Sequence, residues 1–205
     1  MKLKRIFDVV VSGIGLLMLA PLMGVIGIVI WMTLGQPVLF RQIRPGQGGV
    51  PFTLIKFRTM RNVLPGESAL ETDARRMTSV GSFLRKWSLD ELPEFWNVFR
   101  GELSLVGPRP LLMEYLEKYS PEQKRRMEVK PGLTGWAQIK GRNAVSWQEK
   151  FALDVWYVDH RSFWLDLWIL LVTLPVVILG RGVSAPGEAT TKAFAGNGNG
   201  AGSLS

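Results

Sequence analysis

Apolar residues run almost unbroken over residues 9–34, after a basic start at Lys2, Lys4 and Arg5. At 1.5 Å per residue, roughly 26 helical residues reach about 39 Å, enough to cross a bilayer with tilt. Pro21 lies inside this stretch, where it removes a backbone hydrogen bond and predicts a kink or break. Cations flank both ends, with Arg41 and Arg44 following the stretch, and the positive-inside rule would hold both ends in the cytoplasm. A helix–break–helix that enters one leaflet and returns satisfies both constraints and is favoured over a simple crossing. The carbonyls freed near Met18 and Ala20 would then need local partners, because lipid offers none. A cleaved signal peptide fits less well, since the stretch is long and no small-x-small site follows.

Beyond it the periodicity changes. Val38-Leu-Phe40 and Phe52-Thr-Leu-Ile55 read as short extended segments around a turn at Arg44-Pro-Gly46, punctuated by Gly48, Gly49 and Pro51, which predicts a β-hairpin. Residues 62–72 are polar and turn-rich. Helical signals follow at 80–86 and 90–100. Residues 113–129 carry charges at helical spacing, with Tyr115, Leu116, Tyr119 and Met127 as inner positions. Residues 163–179 are apolar but hold Asp166 and Pro175, so the uninterrupted run is too short to span. An interfacial helix is expected there, with Trp164, Trp168, Trp156 and Tyr157 suited to the headgroup region.

The expected fold is therefore α+β and mostly helical. Residues 1–36 form the re-entrant membrane helix, 37–184 a small cytosolic and interfacial catalytic domain with a short β-hairpin and interfacial amphipathic helices, and 185–205 a C-terminal extension. From about residue 196 only Gly, Ala, Asn, Ser and Leu remain, a composition that predicts disorder.

Composition narrows the chemistry. The chain has no cysteine and a single histidine, His160. Disulfides, thiolate nucleophiles, histidine triads and multi-histidine metal sites are excluded, leaving carboxylates, hydroxyls, lysine and tyrosine. The formal charge of +8 attracts polyanions, whether nucleic acid, anionic headgroups or phosphorylated small molecules.

The most informative run is Ser88-Leu-Asp-Glu-Leu-Pro-Glu-Phe-Trp-Asn97. Ser88 with Glu91 matches a capping box, which alone means only a helix start. Taking Asp90 as the N-cap instead puts Pro93 in the first turn, where its missing N–H costs little. Either register leaves Asp90 and Glu91 at a helix N-terminus that favours ionised carboxylates. An ionised Asp90 can act as a nucleophile or hold Mg²⁺ through oxygen. Gly107-Pro-Arg-Pro110 fixes Arg109 between two prolines, on a stiff backbone suited to phosphate contact. Lys130 to Gln138 and Gly141-Arg-Asn143 add glycine-rich turns carrying cations, Arg142 among them.

These strings resemble the bacterial sugar transferases called monotopic phosphoglycosyl transferases. The resemblance rests on Lys4-Arg-Ile-Phe-Asp8, Arg44-Pro-Gly46, Lys56-Phe-Arg-Thr-Met60, Ser88-Leu-Asp-Glu-Leu92, Ser104-Leu-Val-Gly-Pro-Arg-Pro110, Lys130-Pro-Gly-Leu-Thr-Gly-Trp-Ala-Gln138 and Gly141-Arg-Asn143. The short length looks like the small catalytic-core type. Gly182-Val-Ser184 and Thr190-Thr-Lys-Ala-Phe194 resemble members acting on N-acetylated UDP-sugars. Ala20 departs from the serine that close relatives commonly carry before the proline.

The resemblance implies a two-step transfer. Asp90 would attack the sugar-linked phosphate of a UDP-sugar and expel UMP, and polyprenol (undecaprenyl) phosphate would then take the sugar-phosphate from Asp90. Glu91 would assist, Mg²⁺ would sit on Asp90 and the diphosphate, and Arg109, Arg142, Lys56 and Arg58 would bind phosphate. The same resemblance places the protein on the lipid bilayer of the bacterial inner membrane, monotopic, with its site on the cytoplasmic face. A donor of the UDP-glucose or UDP-galactose type is the alternative. A membrane-tethered nucleic-acid-binding protein is set aside because the cations are scattered and no nucleic-acid motif is present, so nucleic acid is not an expected partner. A homodimer is left open.

Overall fold

The computed structural model describes residues 2–63, 73–140, 145–178, 194 and 196. Its first element is one helix, α1 (Lys2–Leu34), with Pro21 inside it. Helical backbone continues through the position of the expected break, so the helix–break–helix reading is corrected to a single element. A proline removes one ladder bond, and local adjustment can absorb that loss without ending the helix. The buried residues of α1 are Asp8 and Ser12 in its first half and Ile26 and Ile30 in its second, each pair four apart on one face. Leu17, Met18 and Met32 are at least 74% exposed, and α1 is long and apolar enough to cross a membrane.

Both ends of α1 are tied to the rest of the fold. Lys4 Nζ donates to Asp166 Oδ2 at 2.5 Å and to the Val106 carbonyl at 3.0 Å. Arg5 donates to the carbonyls of Val98 and Phe99 at 2.7 and 2.8 Å. The buried Asp8 carboxylate accepts from Ser104 Oγ at 2.9 Å and from the Leu105 N–H at 3.1 Å. At the far end, Arg58 donates to the carbonyls of Leu34, Gly35 and Gln36 at 2.5, 2.5 and 3.1 Å. Leu34 ends α1, and its carbonyl is one that a helix C-terminus leaves without a partner.

The expected hairpin forms from β1 (Leu39–Pro45) and β2 (Pro51–Phe57), antiparallel from the pair Leu39 and Phe57 to the pair Pro45 and Pro51. It is longer than the hydrophobic pattern suggests. Gly48 and Gly49, at φ 65° and 79°, reverse the chain between the strands. Then come α2 (Asp73–Arg76) and α3 (Ser79–Lys86), the latter capped by Thr78, whose hydroxyl accepts from the Gly81 N–H at 3.0 Å. Ser88 takes the left-handed conformation (φ 52°), and a 3₁₀ turn, Leu89–Glu91, leads through Pro93 into α4 (Glu94–Arg100). Two expectations are corrected here. Ser88 makes no capping bond, and Asp90 is not an N-cap, because Pro93 immediately precedes the first helical residue.

A second, parallel pair, β3 (Ser104–Val106) and β4 (Gly132–Thr134), has no counterpart in the hydrophobic pattern. Between these strands the expected helix over 113–129 is broken into a 3₁₀ turn (Met113–Lys118), α5 (Pro121–Lys124) and another 3₁₀ turn (Arg125–Met127). The cause is the Ser120 capping box with Pro121 at the first helical position, which starts a new helix. Tyr115 and Tyr119 are nonetheless buried as expected. The chain closes with α6 (Trp136–Lys140), α7 (Trp147–His160) and α8 (Phe163–Ile178).

The main core gathers Leu54 of β2, Val98 of α4, Leu105 and Val106 of β3, Tyr157 and Val158 of α7 and Ile169 of α8. Tyr157 therefore belongs to the core rather than the membrane surface, and its hydroxyl donates to buried Asp166 at 2.6 Å. Trp164 and Trp168 of α8 are exposed, at 74% and 44%.

Candidate active site

Four elements converge on one cluster of charges. Lys56 comes from the end of β2, Asp90 and Glu91 from the 3₁₀ turn, Glu94 from the start of α4, and Arg109 from the segment after β3. The turn exists because Ser88 stops α3 in a left-handed conformation and Pro93 delays α4, leaving both carboxylates on a short strained link.

Glu91 Oε1 is held by two cations, Lys56 Nζ at 2.7 Å and Arg109 Nη2 at 2.5 Å. Burial opposes its ionisation, but Arg109 and then Lys56 outweigh that and hold Glu91 well below the usual carboxylate range. Asp90, 8% exposed, is in the opposite condition. Burial, and next the neighbouring Glu91 charge, push its pKa above the ordinary value. Among the described residues no side chain or backbone group donates a hydrogen bond to the Asp90 carboxylate. One carboxylate is thus paired through Oε1 with two cations, and the other is buried with its oxygens unengaged.

Glu94 is a site residue that sequence reasoning missed. It is 2% exposed, and its Oε1 lies 2.9 Å from Lys56 Nζ without a hydrogen-bonding geometry. Burial raises its pKa to about 7 against the pull of Lys56, with Glu91 adding to the rise. Its position four residues after Asp90 in the same motif is the signal that could have found it. Arg44 is the second residue missed. Its guanidinium is pushed down to about 10 by burial and by Arg109, and its buried Nε has no partner. Its other nitrogens bond Gln42 Oε1 at 2.6 Å and the Pro110 carbonyl at 3.4 Å.

Of the phosphate-binding candidates, Lys56 and Arg109 meet in the cluster. Arg58 does not: its guanidinium is 6% exposed and occupied by the C-terminal carbonyls of α1 and by Asn62 Oδ1 at 3.2 Å. Its role is corrected to a helix cap. Arg142 lies outside the described residues. Arg109 is steadied from behind, since its carbonyl accepts from Arg126 Nη2 at 2.8 Å, and Arg126 is buried against Asp154 at 2.7 Å.

The donor set bears on a metal. Among the described residues no three acidic or histidine side chains gather as a cage. Mg²⁺ commonly uses one or two carboxylates together with substrate phosphates and water, and Asp90, with unengaged oxygens, fits that mode. Glu91, already paired with two cations, is less available to a third.

Comparison with known proteins matches the sequence to a family. Residues 1–180 match the model of the bacterial sugar transferases. The chain is 50% identical over 200 residues to the sugar transferase EpsL of Bacillus subtilis, covering 97% of this chain and 98% of that protein. It is 41% identical to the galactosyl transferase CpsE of Streptococcus agalactiae, over 87% of this chain and 43% of CpsE. It is also 39% identical to the UDP-glucose:undecaprenyl-phosphate glucose-1-phosphate transferase of Caulobacter vibrioides, over 85% of this chain and 69% of that enzyme. The chain belongs to the bacterial sugar transferase family and is a phosphoglycosyl transferase.

Proposed function

We propose that this enzyme transfers a sugar-1-phosphate from a UDP-sugar to polyprenol phosphate through a covalent intermediate on Asp90. The observation that carries the reading is the division of labour between neighbours: Lys56 and Arg109 occupy Glu91, while Asp90 beside it keeps its oxygens free in a buried setting. In the first step an Asp90 oxygen attacks the sugar-bearing phosphorus, and the diphosphate bond breaks with its electron pair leaving on UMP. In the second, an oxygen of the acceptor phosphate attacks the same phosphorus and Asp90 departs, giving a polyprenyl-diphosphate sugar. Arg109 and Lys56 present fixed positive charge where the phosphoryl oxygens gain charge. Mg²⁺ on Asp90 and the diphosphate would neutralise negative charge on the leaving group.

Two classes of donor are supported by different observations. The C-terminal strings point to N-acetylated UDP-sugars, whereas the Caulobacter relative's name specifies UDP-glucose. The membrane setting is supported by α1, which is long and apolar enough to cross a bilayer. A straight helix of 33 residues is about 50 Å long, against a hydrocarbon core of about 30 Å. A crossing helix would part its ends, yet Lys4, Arg5 and Asp8 at one end and Leu34 at the other bind the same domain. This supports a monotopic arrangement with the site at the cytoplasmic surface, where a soluble donor and a lipid acceptor can meet.

The test is UMP release by protein purified in detergent, with Mg²⁺, undecaprenyl phosphate and a panel of N-acetylated and hexose UDP-sugars. Wild type is expected to release UMP with one class, and Asp90→Asn with none. Equal rates for the two proteins across the panel would remove Asp90 from the mechanism.

A further inference from the structure

Phe194 lies 14 residues past the end of the family match at residue 180, yet it is among the most deeply buried side chains, at 2% exposure. Its ring meets Tyr115 and Phe151 edge-on, with centroids 5.6 and 5.1 Å apart, and inclines against Trp147 at 5.6 Å and Tyr119 at 6.2 Å. The backbone is fixed as well. The Phe194 N–H donates to the Tyr115 hydroxyl at 3.1 Å, and Lys118 Nζ donates to the Phe194 carbonyl at 3.3 Å. Gly196 follows at φ 102°, a conformation open to glycine, and a Cβ there would come within 3.6 Å of the Lys118 side chain.

The cluster that receives Phe194 is continuous with the cation cluster. Tyr119 and Phe151 are the two rings over which the Arg126 guanidinium lies, with Cζ 5.7 and 5.6 Å from their centroids. Arg126 also donates to the Tyr119 hydroxyl at 3.3 Å, to Asp154, and through Nη2 to the Arg109 carbonyl. Arg109 then grips Glu91. An unbroken series of packed groups thus joins residue 194 to the carboxylate pair.

We infer that Phe194 is a positioning residue for transfer: its ring presses Tyr119 and Phe151 onto Arg126, and Arg126 fixes the main chain that carries Arg109. The inference rests on the reading of Arg109 as a phosphate-binding group. Removing the Phe194 ring leaves the Arg126–Asp154 pair in place. What loosens is the stacking that aims Nη2 at the Arg109 carbonyl. A misplacement of about 1 Å remote from the chemistry can lower a rate about 100-fold.

A double-mutant cycle on UMP release tests this, using wild type, Phe194→Ala, Arg109→Lys and the pair. Phe194→Ala is expected to lower kcat about 10- to 100-fold while donor KM moves less. In the Arg109→Lys background, which already lacks the guanidinium, the same change should cost less than about 3-fold. Phe194→Leu, which refills the site with an apolar side chain, should restore most of the loss; if the alanine variant does not fold, Phe194→Val, which removes the ring but keeps part of the packing, takes its place in the cycle. A kcat within about 2-fold of wild type, or losses that multiply fully with Arg109→Lys, would overturn the inference. An inactive wild type would instead strike at the proposed transfer itself, so the two failures are distinct.

Discussion

Replacing Glu94 with glutamine isolates one buried titration. Glu94 is 2% exposed, and its pKa is raised from 4.5 to about 7 by burial, against the nearby Lys56 ammonium and with the Glu91 charge adding to the rise. A carboxyl whose folded pKa exceeds its unfolded value binds its proton more tightly when folded. The resulting stability is fully present below about pH 4.5 and is lost as pH rises through about 7. At 1.36 kcal/mol per pH unit, that interval corresponds to about 3 kcal/mol. For a chain of this size, roughly 2–4 °C of midpoint accompanies each kcal/mol, so Glu94 should lower the midpoint by roughly 6–12 °C between pH 4.5 and 8.5. Glu91, held below the usual range, adds no slope in this window, because its stabilisation fades only in stronger acid. Asp90 is shifted in the same direction as Glu94 but is present in both proteins, so the difference between them belongs to Glu94. Thermal unfolding followed by tryptophan fluorescence in detergent, at half-unit steps of pH, supplies the comparison. Glu94→Gln should show a flatter dependence by that amount. Parallel curves would refute the argument that burial keeps Glu94 protonated near neutrality.

Three further outcomes follow from the same geometry. Lys56→Met removes the cation shared by Glu91 and Glu94 and should destabilise the protein by about 3 kcal/mol, with partial recovery when Glu94→Gln is added; denaturation midpoints of the three variants decide it. Ser88→Gly should match or slightly exceed wild-type stability, because Ser88 sits at φ 52°, whereas Ser88→Val should lose about 1–3 kcal/mol and most UMP release. Gly81→Ala would place a Cβ 1.9 Å from the Thr59 carbonyl oxygen, so α3 must move, and a loss of about 1–3 kcal/mol in thermal unfolding is expected.

The parts legible in the sequence are those encoded locally. The hairpin announces itself through Pro and Gly punctuation, α3 through its apolar spacing, and the Asp90–Glu91 pair through its motif. What stayed hidden depends on distant partners. Arg58 looks like a phosphate ligand until its Nη2 is seen to be taken by the carbonyls at the end of α1. The parallel pairing of β3 with β4 joins Ser104 to Gly132, too far apart in sequence for any local pattern to reveal. Tyr157 reads as an interfacial aromatic because its hydroxyl's partner, Asp166, lies across the turn between α7 and α8. Glu94 was visible by position but gained its character only from burial beside Lys56.

The Asp8 anchor sets an order of events in biosynthesis. The partners of its carboxylate, Ser104 and Leu105, lie 96 and 97 residues later in the chain. At roughly 5–20 residues per second, the ribosome takes roughly 5–20 s to supply them. During that wait the Asp8 side chain lacks both of the donors that hold it in the finished fold. The N-terminal half of α1 can therefore dock in its final seat only when β3 emerges and supplies those two donors.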